Sequence, residues 1–430
     1  MGDTTDTTMQ QGPDDGWWPV PLTTAITTQP VEVMVDGRAW VLFRPTDGAP
    51  IAAVEARCPH RLANLGHGTV VDGTLQCPYH GWRYDSRGTC TLIPSNGVDQ
   101  AVPASARAVA AWGVRELDGN VWLAPVEPGA PQLGPDLRGE ANALTNLDPS
   151  LEFGWHPVAL AHEIPETGAY AARLLGRDYD IVRSGDGYAA SGSPHSITER
   201  FGTVWIAARA PVRELMEDAD DANPVFAQGW LVPDVAGSPA GVLAENFLDV
   251  AHFPFVHVGT FGAAEEPVVP RYEVEIHPDG GGLSSVQEQW FDNPEDPGVI
   301  AGIRPARQRR RATYTYRWPF QLSLRLEELD AGAVKTILFF LQPQDLRSTR
   351  IYTKMLLHNI GGVPTPGPDV IANEVAFEVA VLGEDLVLQR GMTVPGLPLT
   401  LEDELHVRSD RSGVALRRVL DGHRTETSGP

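Results

Sequence analysis

Short runs in which hydrophobic and polar residues alternate cover most of the chain, a pattern typical of antiparallel β-strands. In residues 17–126 the runs are broken by turns rich in Gly, Pro and Asp, so a small antiparallel β domain is predicted there. From about residue 225 a short helical segment precedes alternating strands such as 272–276 and 321–326. A long helical pattern then follows Pro368.

These patterns predict an α+β protein with separate domains. Residues 1–15 are expected to form a disordered tail, 16–126 the all-β domain, and 127–153 a linker with several Pro and Gly residues. Residues 225–425 are expected to form a larger domain of the helix-grip type, in which an antiparallel sheet wraps on helices.

An internal repeat lies between these domains. The segment Gly16–Leu22 returns as Gly154–Leu160, and 119–124 returns as 202–207. The second copy is about half as long and lacks the loops that contain Cys and His in the first. Residues 154–210 are therefore predicted to be a degenerate copy of the first domain. The alternative is a chance likeness between two Trp-rich strands.

Composition and charge narrow the function classes. The 430 residues are 42% hydrophobic, enough for two or three packed units. A formal net charge of −23 repels phosphate backbones and anionic lipid, which argues against nucleic acid and membranes as partners. Because the chain has no long apolar run and its N-terminus has no signal-like pattern, we expect a soluble, cytoplasmic protein.

One dense basic run stands out against this acidic background. Residues Arg304–Arg311 read RPARQRRR. We expect a solvated loop here; the alternative is a docking patch for an acidic redox protein.

The clearest chemical motif consists of two Cys/His loops. Cys58-Pro59-His60 is followed after sixteen residues by Cys77-Pro78-Tyr79-His80. Each loop offers one thiolate and one imidazole, and together they form the ligand set of a Rieske [2Fe–2S] centre. A structural zinc site is the alternative, but zinc sites usually pair two cysteines in one loop and two histidines in the other. The remaining Cys90 is expected to be a buried packing thiol.

With Trp82, Tyr84-Asp85, Gly88 and Ile93-Pro94, residues 17–126 resemble the Rieske domain of ring-hydroxylating oxygenases and their monooxygenase relatives. The resemblance implies that Cys58, His60, Cys77 and His80 hold a [2Fe–2S] cluster. It also makes residues 154–210 a Rieske-like copy without a cluster.

A second motif, Asn246-x₂-Asp249-x₂-His252-x₄-His257, follows much later in the chain. Two imidazoles and a carboxylate from elsewhere supply the facial triad of non-haem Fe(II) oxygenases, which leaves coordination positions open for O₂. Pro254 is expected to interrupt the helix between the histidines. Taken alone, the two histidines could instead be core residues.

The resemblance assigns roles within this motif. His252 and His257 bind the mononuclear iron, and Asp249, counted with Asn246 among the catalytic residues, carries electrons from the cluster. It also implies a homotrimer in which His80 of one subunit meets Asp249 of the next, because the two metals of one chain are too far apart. Asp249 would join the two imidazoles by charge-assisted hydrogen bonds.

The third iron ligand is sought on the helical pattern 369–389. Asp385 falls near the middle of its apolar face, where an unpaired carboxylate is costly to bury and a metal would offset that cost. Glu384 lies towards the edge and is expected to be solvated. Glu374 and Glu378 share the stripe and are alternative ligands or buried network partners. The resemblance agrees with Asp385, since a Glu-Asp pair on the late helix supplies the ligand at its Asp.

These features predict an oxygenase that oxidises a small organic substrate with O₂ at a mononuclear Fe(II). Electrons would come from NAD(P)H through a separate ferredoxin or flavin reductase, because the chain has no G-x-G-x-x-G fingerprint. Hydroxylation, dealkylation, desaturation and oxidative cyclisation use the same machinery and stay open. The rival prediction is an electron-transfer or scaffold protein with a vestigial iron site.

Overall fold

The computed structural model describes residues 16–22, 24–131, 133, 136–262, 266–292, 297–303 and 305–428. The predicted tail, 1–15, lies outside them.

The N-terminal domain is built from three antiparallel sheets, in the orders β1-β10-β9, β2-β3-β4 and β5-β6-β7-β8. Large buried side chains such as Trp40, Phe43 and Trp82 fill the space between the sheets. The strands are β1 (Trp18–Pro19), β2 (Val31–Val35), β3 (Arg38–Phe43), β4 (Ala52–Glu55), β5 (Thr69–Val71), β6 (Thr74–Gln76), β7 (Arg83–Tyr84), β8 (Cys90–Leu92), β9 (Gly113–Leu117) and β10 (Asn120–Ala124).

The segment predicted as a linker packs against both of its neighbours. Arg138 forms an ion pair of 3.2 Å with Glu55 of the N-terminal domain. The strand β11 (Ala143–Leu144) pairs with Leu397–Pro398 near the C-terminus. These contacts attach the N-terminal domain to the rest of the chain.

Residues 156–207 form two further three-stranded sheets, ordered β12-β17-β16 and β13-β14-β15. Their pairing repeats that of the first domain: Pro157 lies opposite Trp205 as Pro19 lies opposite Trp122. The shared register supports a degenerate copy, which stays a prediction. The strands are β12 (His156–Leu160), β13 (Tyr170–Leu174), β14 (Arg177–Ser184), β15 (Gly187–Ala190), β16 (Ser196–Arg200) and β17 (Thr203–Ala207).

The C-terminal domain has one large antiparallel sheet, β18-β25-β24-β23-β22-β21-β20, with β19 also paired to β25. The strands of this sheet are β18 (Ala227–Trp230), β19 (Asp234–Ala236), β20 (Glu273–Ile276), β21 (Gly282–Asp292), β22 (Arg307–Arg317), β23 (Gln321–Glu328), β24 (Ala333–Asp345) and β25 (Ser348–His358). The short strand β26 (Leu397–Pro398) lies outside it and pairs with β11. The helices are α1 (Ala240–Leu248), α2 (Phe253–Val256), α3 (Pro297–Ile300), α4 (Pro368–Gln389) and α5 (Arg411–Ser428).

The core of this domain lies between the sheet and helices α1 and α5. Leu283, Tyr316 and Phe320 of the sheet side pack in one cluster with Leu416 and Leu420 of α5. The overall arrangement is the α+β fold that the sequence predicts, a β domain followed by an antiparallel sheet with helices.

The prediction of a solvated loop for the basic run is wrong for Arg307–Arg311, which lie in β22, while Arg304 lies outside the described residues. Arg311 is opposite Glu288 of β21 and forms an ion pair of 2.8 Å with it. Arg310 is opposite Glu328 of β23, at 3.8 Å. Opposite charges on neighbouring strands favour the extended pairing over a free loop. These arginines are therefore largely neutralised within the chain.

None of the helices in the described part combines the length and the apolar character needed to cross a bilayer.

Candidate metal centres

Two loops of the N-terminal domain bring four predicted ligands together. Cys58 and His60 follow β4, and Cys77 and His80 lie between β6 and β7. All four side chains are buried. The two imidazole rings are 4.3 Å apart between centroids, and Trp82 stacks on His60 at 4.4 Å. The loops thus present two thiols and two imidazoles to one small volume.

The ring nitrogens show how the histidines could bind a metal. Nε2 of His60 lies 3.1 Å from both carboxylate oxygens of Asp410, and Nε2 of His80 lies 2.7 Å from Oδ2 of Asp249. Within the described residues, the buried Nδ1 atoms of both histidines have no hydrogen-bond partner. Each imidazole therefore keeps Nδ1 free for iron while a carboxylate fixes its orientation. The residues fit a Rieske [2Fe–2S] cluster.

The same loops touch the C-terminal domain closely. Gly81 has a positive φ of 66°, and a Cβ atom there would lie 2.2 Å from the ring of Phe255 in α2. The hydroxyl of Tyr79 is 3.2 Å from the amide nitrogen of Asn246 in α1. Because glycine has no Cβ, the loop can approach α2 without a clash. Asn246, predicted as catalytic, thus holds the loop to α1.

The second candidate centre is built around the short helix α2. His252 comes directly before its first residue, and His257 directly after its last. Pro254 lies in the first turn, where its missing N–H costs nothing. The expectation that Pro254 interrupts a helix is therefore wrong, since the proline helps to begin a new one. This helix sets the two imidazoles side by side.

Asp385 of α4 completes the group. Its Oδ1 lies 3.4 Å from Nε2 of His252 and 3.5 Å from Nε2 of His257, and the two nitrogens are 3.1 Å apart. Within the described residues, this buried Oδ1 has no hydrogen-bond partner. Two imidazoles and one carboxylate on one side of a metal form a facial triad, the donor set of non-haem Fe(II) sites. The three residues fit a mononuclear iron.

Glu384 has a role that the sequence prediction missed. Its Oε2 is 3.0 Å from Nδ1 of His257 and accepts the hydroxyl of Thr260 at 2.8 Å. Its Oε1 accepts the N–H of Gly259 at 3.0 Å. The expectation of a solvated side chain is wrong, because these donors lie within its reach at the helix edge. Glu384 orients His257 with Nε2 facing the candidate iron.

Asp249 links the two candidate centres. Besides its contact with His80, its Oδ1 accepts the N–H of Ala251 at 2.6 Å. Its distance to Nδ1 of His252 is 3.9 Å, beyond hydrogen-bond length, so only one of the two predicted imidazole bonds is formed. Burial raises the pKa of Asp249, but the imidazoles of His80 and His252 outweigh burial and hold it well below its usual range. Asp249 is therefore an anion in contact with the Rieske loop.

The predicted partners His80 and Asp249 do meet, but in one chain. The resemblance implied that they belong to neighbouring subunits, because the metals of one chain would be too far apart. That reason does not hold here, since the N-terminal domain lies against α1 and α2 of its own chain. A homotrimer stays a prediction.

A buried charge network lies behind the Rieske loop. Arg61, next to His60, is 2.9 Å from Glu245 of α1 and 3.3 Å from Asp410. Arg417 of α5 pairs with Glu245 and with Glu404. All of these side chains are buried. The network ties the loop to α1 and α5. Sequence patterns do not reveal it, because Asp410 is 350 residues away from His60.

Comparisons with known proteins identify two domains in the chain. Residues 16–105 match the Rieske [2Fe-2S] domain, and residues 237–426 match the vanillate O-demethylase oxygenase C-terminal domain. The chain is 28% identical over 280 residues to a protein named probable methylxanthine N7-demethylase NdmC from Pseudomonas sp. (strain TJI-51), covering 62% of this chain and 92% of that protein.

Two other relatives match over shorter stretches. The 3-chlorobenzoate-3,4-dioxygenase oxygenase subunit of Comamonas testosteroni is 30% identical over 234 residues, 48% of this chain and 52% of that subunit. Protein TIC 55 of Arabidopsis thaliana is 31% identical over 152 residues, 35% of this chain, and the chain spans only 26% of its length. The two domain matches, in the order in which the two candidate centres occur, show that the chain belongs to the Rieske non-haem iron oxygenase family.

Proposed function

We propose that the chain is the oxygenase component of a Rieske system, which takes up electrons at the Cys58/His60/Cys77/His80 cluster and oxidises a small organic substrate with O₂ at iron held by His252, His257 and Asp385. The observation that carries this proposal is the 2.7 Å contact between His80 and Asp249, because it joins the two candidate centres directly. An electron carrier with a vestigial iron site would need neither Asp385 nor Glu384 in place.

When bound, the cluster supplies stored electrons and the mononuclear iron supplies O₂ activation. The protein's own residues hold and orient these groups. Asp249 fixes the imidazole of His80 at the boundary between the centres, and Glu384 fixes that of His257. His252, His257 and Asp385 would hold the iron from one side, the donor set that non-haem Fe(II) sites use for O₂ chemistry.

The electrons are proposed to come from NAD(P)H through a separate ferredoxin or flavin reductase. No G-x-G-x-x-G fingerprint occurs in the sequence. In the basic run that was considered as a docking patch, Arg310 and Arg311 have acidic partners within the chain, which makes them poor contacts for an acidic partner protein.

Among possible reactions we propose hydroxylation, with dealkylation as its outcome when the hydroxylated carbon bears nitrogen or oxygen. This rests on the C-terminal match to vanillate O-demethylase and on the likeness to a protein named as a demethylase. Such a carbon, once hydroxylated, releases its heteroatom without further help from the protein.

A reconstituted system tests the proposed function. The iron-loaded chain, a ferredoxin and a reductase are supplied with NADH, and O₂ uptake and products are followed over a library of methylated aromatic compounds. If the chain is an oxygenase, the wild type should give hydroxylated or demethylated products and Asp385→Ala should give none. If the chain is only an electron carrier, the cluster should be reduced and reoxidised at similar rates in both proteins, and neither protein should form a product.

A further inference from the structure

A small cavity of about 40 Å³ lies beside Asp385, between α4 and the sheet. Much of its wall is apolar: Phe247 and Phe339 stack at 4.8 Å, and Leu243 and Val381 complete that side. Space of this size admits one polar group or the edge of a ring. The rest of a bound organic molecule would have to lie outside it or displace side chains.

The wall also carries a carboxyl group that the iron site does not use. Glu378 lies in α4 seven residues before Asp385, on the same face of the helix. At about 1.5 Å of rise per residue, the two positions are roughly 10 Å apart along the helix axis. In keeping with this distance, Glu378 is not part of the converging group formed by His252, His257 and Asp385. It is therefore not a ligand of the iron site.

Glu378 has no hydrogen-bond or ion-pair partner among the described residues, although it is only partly exposed. Lys335 of β24, a cation whose charge acts on Glu378, forms its ion pair with Glu374 instead. Burial raises the pKa of Glu378 to about 7, with Lys335 opposing the rise and Asp385 and Glu374 adding to it. A carboxyl group on an apolar wall, with no partner within the described chain, is available to accept a hydrogen bond from a bound molecule.

We propose that Glu378 binds a hydrogen-bond donor of the substrate, an N–H or O–H group on an apolar scaffold, and thereby selects neutral or cationic molecules over carboxylates. This inference rests on the proposed function for the position of the reacting carbon. A molecule anchored at Glu378 extends along α4 towards Asp385, and its far end lies next to the iron ligands. The same carboxyl group repels substrates that are themselves acids, since like charges in a poorly solvated site disfavour binding.

Binding to four molecules on one scaffold tests the proposal without turnover: indane, 2-indanol, 2-aminoindane and indane-2-carboxylate. Calorimetry is carried out on the iron-loaded protein in the absence of O₂ at about pH 8.5, where Glu378 is ionised and the amine of 2-aminoindane is still protonated. The wild type should bind 2-indanol or 2-aminoindane about tenfold more tightly than indane, and the carboxylate more weakly than indane. If only 2-aminoindane binds more tightly than indane, the natural substrate is cationic. If 2-indanol also binds more tightly, the natural substrate is neutral.

Variants of Glu378 show whether the preference for hydrogen-bond donors depends on its carboxyl group or on the structure of the site as a whole. Glu378→Leu should remove the preference for donors while keeping the iron content, and the isosteric Glu378→Gln should keep the preference for the alcohol and lose that for the ammonium. Val379→Ala, at the exposed neighbouring position, should behave like the wild type.

Three results would overturn the proposal: no preference for donors in the wild type, a preference that survives in Glu378→Leu, or no binding of either donor compound at millimolar concentration. Because these measurements need no reaction, the oxygenase proposal can fail in the reconstituted assay while the binding preference stands, and the reverse is also possible.

Discussion

Nε2 of His80 lies 2.7 Å from Oδ2 of Asp249, and both residues belong to the same chain. One residue comes from a Rieske loop and the other from the loop that joins α1 to α2. The route between the two candidate centres therefore needs no second subunit in this structure. The N-terminal domain should therefore dock against the C-terminal domain of the same chain.

A disulfide can report whether docking occurs within a chain. Ser95 of the N-terminal domain and Ser409 before α5 are both buried, with their hydroxyl oxygens 3.1 Å apart. In the double variant Ser95→Cys/Ser409→Cys, mild oxidation should form a cross-link. On a non-reducing denaturing gel the product should migrate as a single chain.

The single variants Ser95→Cys and Ser409→Cys serve as controls and should not cross-link. If the domains dock between subunits, the double variant will instead migrate as a dimer or larger species.

Asp249→Asn tests the link itself. The amide keeps the shape but loses the negative charge that holds the imidazole of His80. The variant should keep the Rieske absorption spectrum and the iron content while product formation falls by about 100-fold or more. Asp234→Asn, at an exposed position of β19, should leave the spectrum, the iron content and product formation unchanged. Loss of the mononuclear iron from Asp249→Asn would mean that this carboxylate is a ligand.

Glu384→Gln tests the support of His257. The amide can still accept the N–H of Gly259, but it no longer provides a carboxylate for the imidazole. Removal of such an outer partner typically lowers metal affinity by about 10-fold to 100-fold. Competition with a chelator should show this loss for the mononuclear iron and not for the cluster. The exposed substitution Glu402→Gln is the control, and equal iron retention in both variants would rule out the assigned role.

The buried network predicts a large difference between two adjacent arginines of α5. Arg417 is 1% exposed and neutralises Glu245 and Glu404, whereas Arg418 is exposed. Arg417→Ala leaves buried carboxylates without their partner and should cost about 3–5 kcal/mol of unfolding free energy. Arg418→Ala should change it by less than about 0.5 kcal/mol. Thermal unfolding of both variants checks this, and equal midpoints would show that the network is not stabilising.

The sequence predicted those parts of the site that lie in local motifs. Cys58, His60, Cys77 and His80 follow from two short loops, and His252 and His257 from a third. Asp385 could be found because α4 has a regular helical pattern. Each of these predictions uses residues that are close in sequence or on one face of one element.

Long-range pairings could not be predicted in the same way. Asp410 and His60 meet only because the N-terminal domain docks against α5, and periodicity carries no information about docking. Glu384 was assigned to solvent because its angle on the helix places it at the edge, while the donors that reach it come from Gly259 and Thr260. Arg310 and Arg311 were predicted to lie in a loop because the run itself contains no acidic residue. Their partners Glu288 and Glu328 lie on the neighbouring strands β21 and β23, which the run does not reveal.

The two candidate centres require one mononuclear iron and one [2Fe–2S] cluster in each chain. Quantitation of iron and acid-labile sulfide should give about three irons and two sulfides per chain for the wild type, with a Rieske spectrum. For Asp385→Ala it should give about two irons and two sulfides with the same spectrum. Asp385→Ala that retains the third iron, or a wild type with about five irons and a second cluster, would contradict the account.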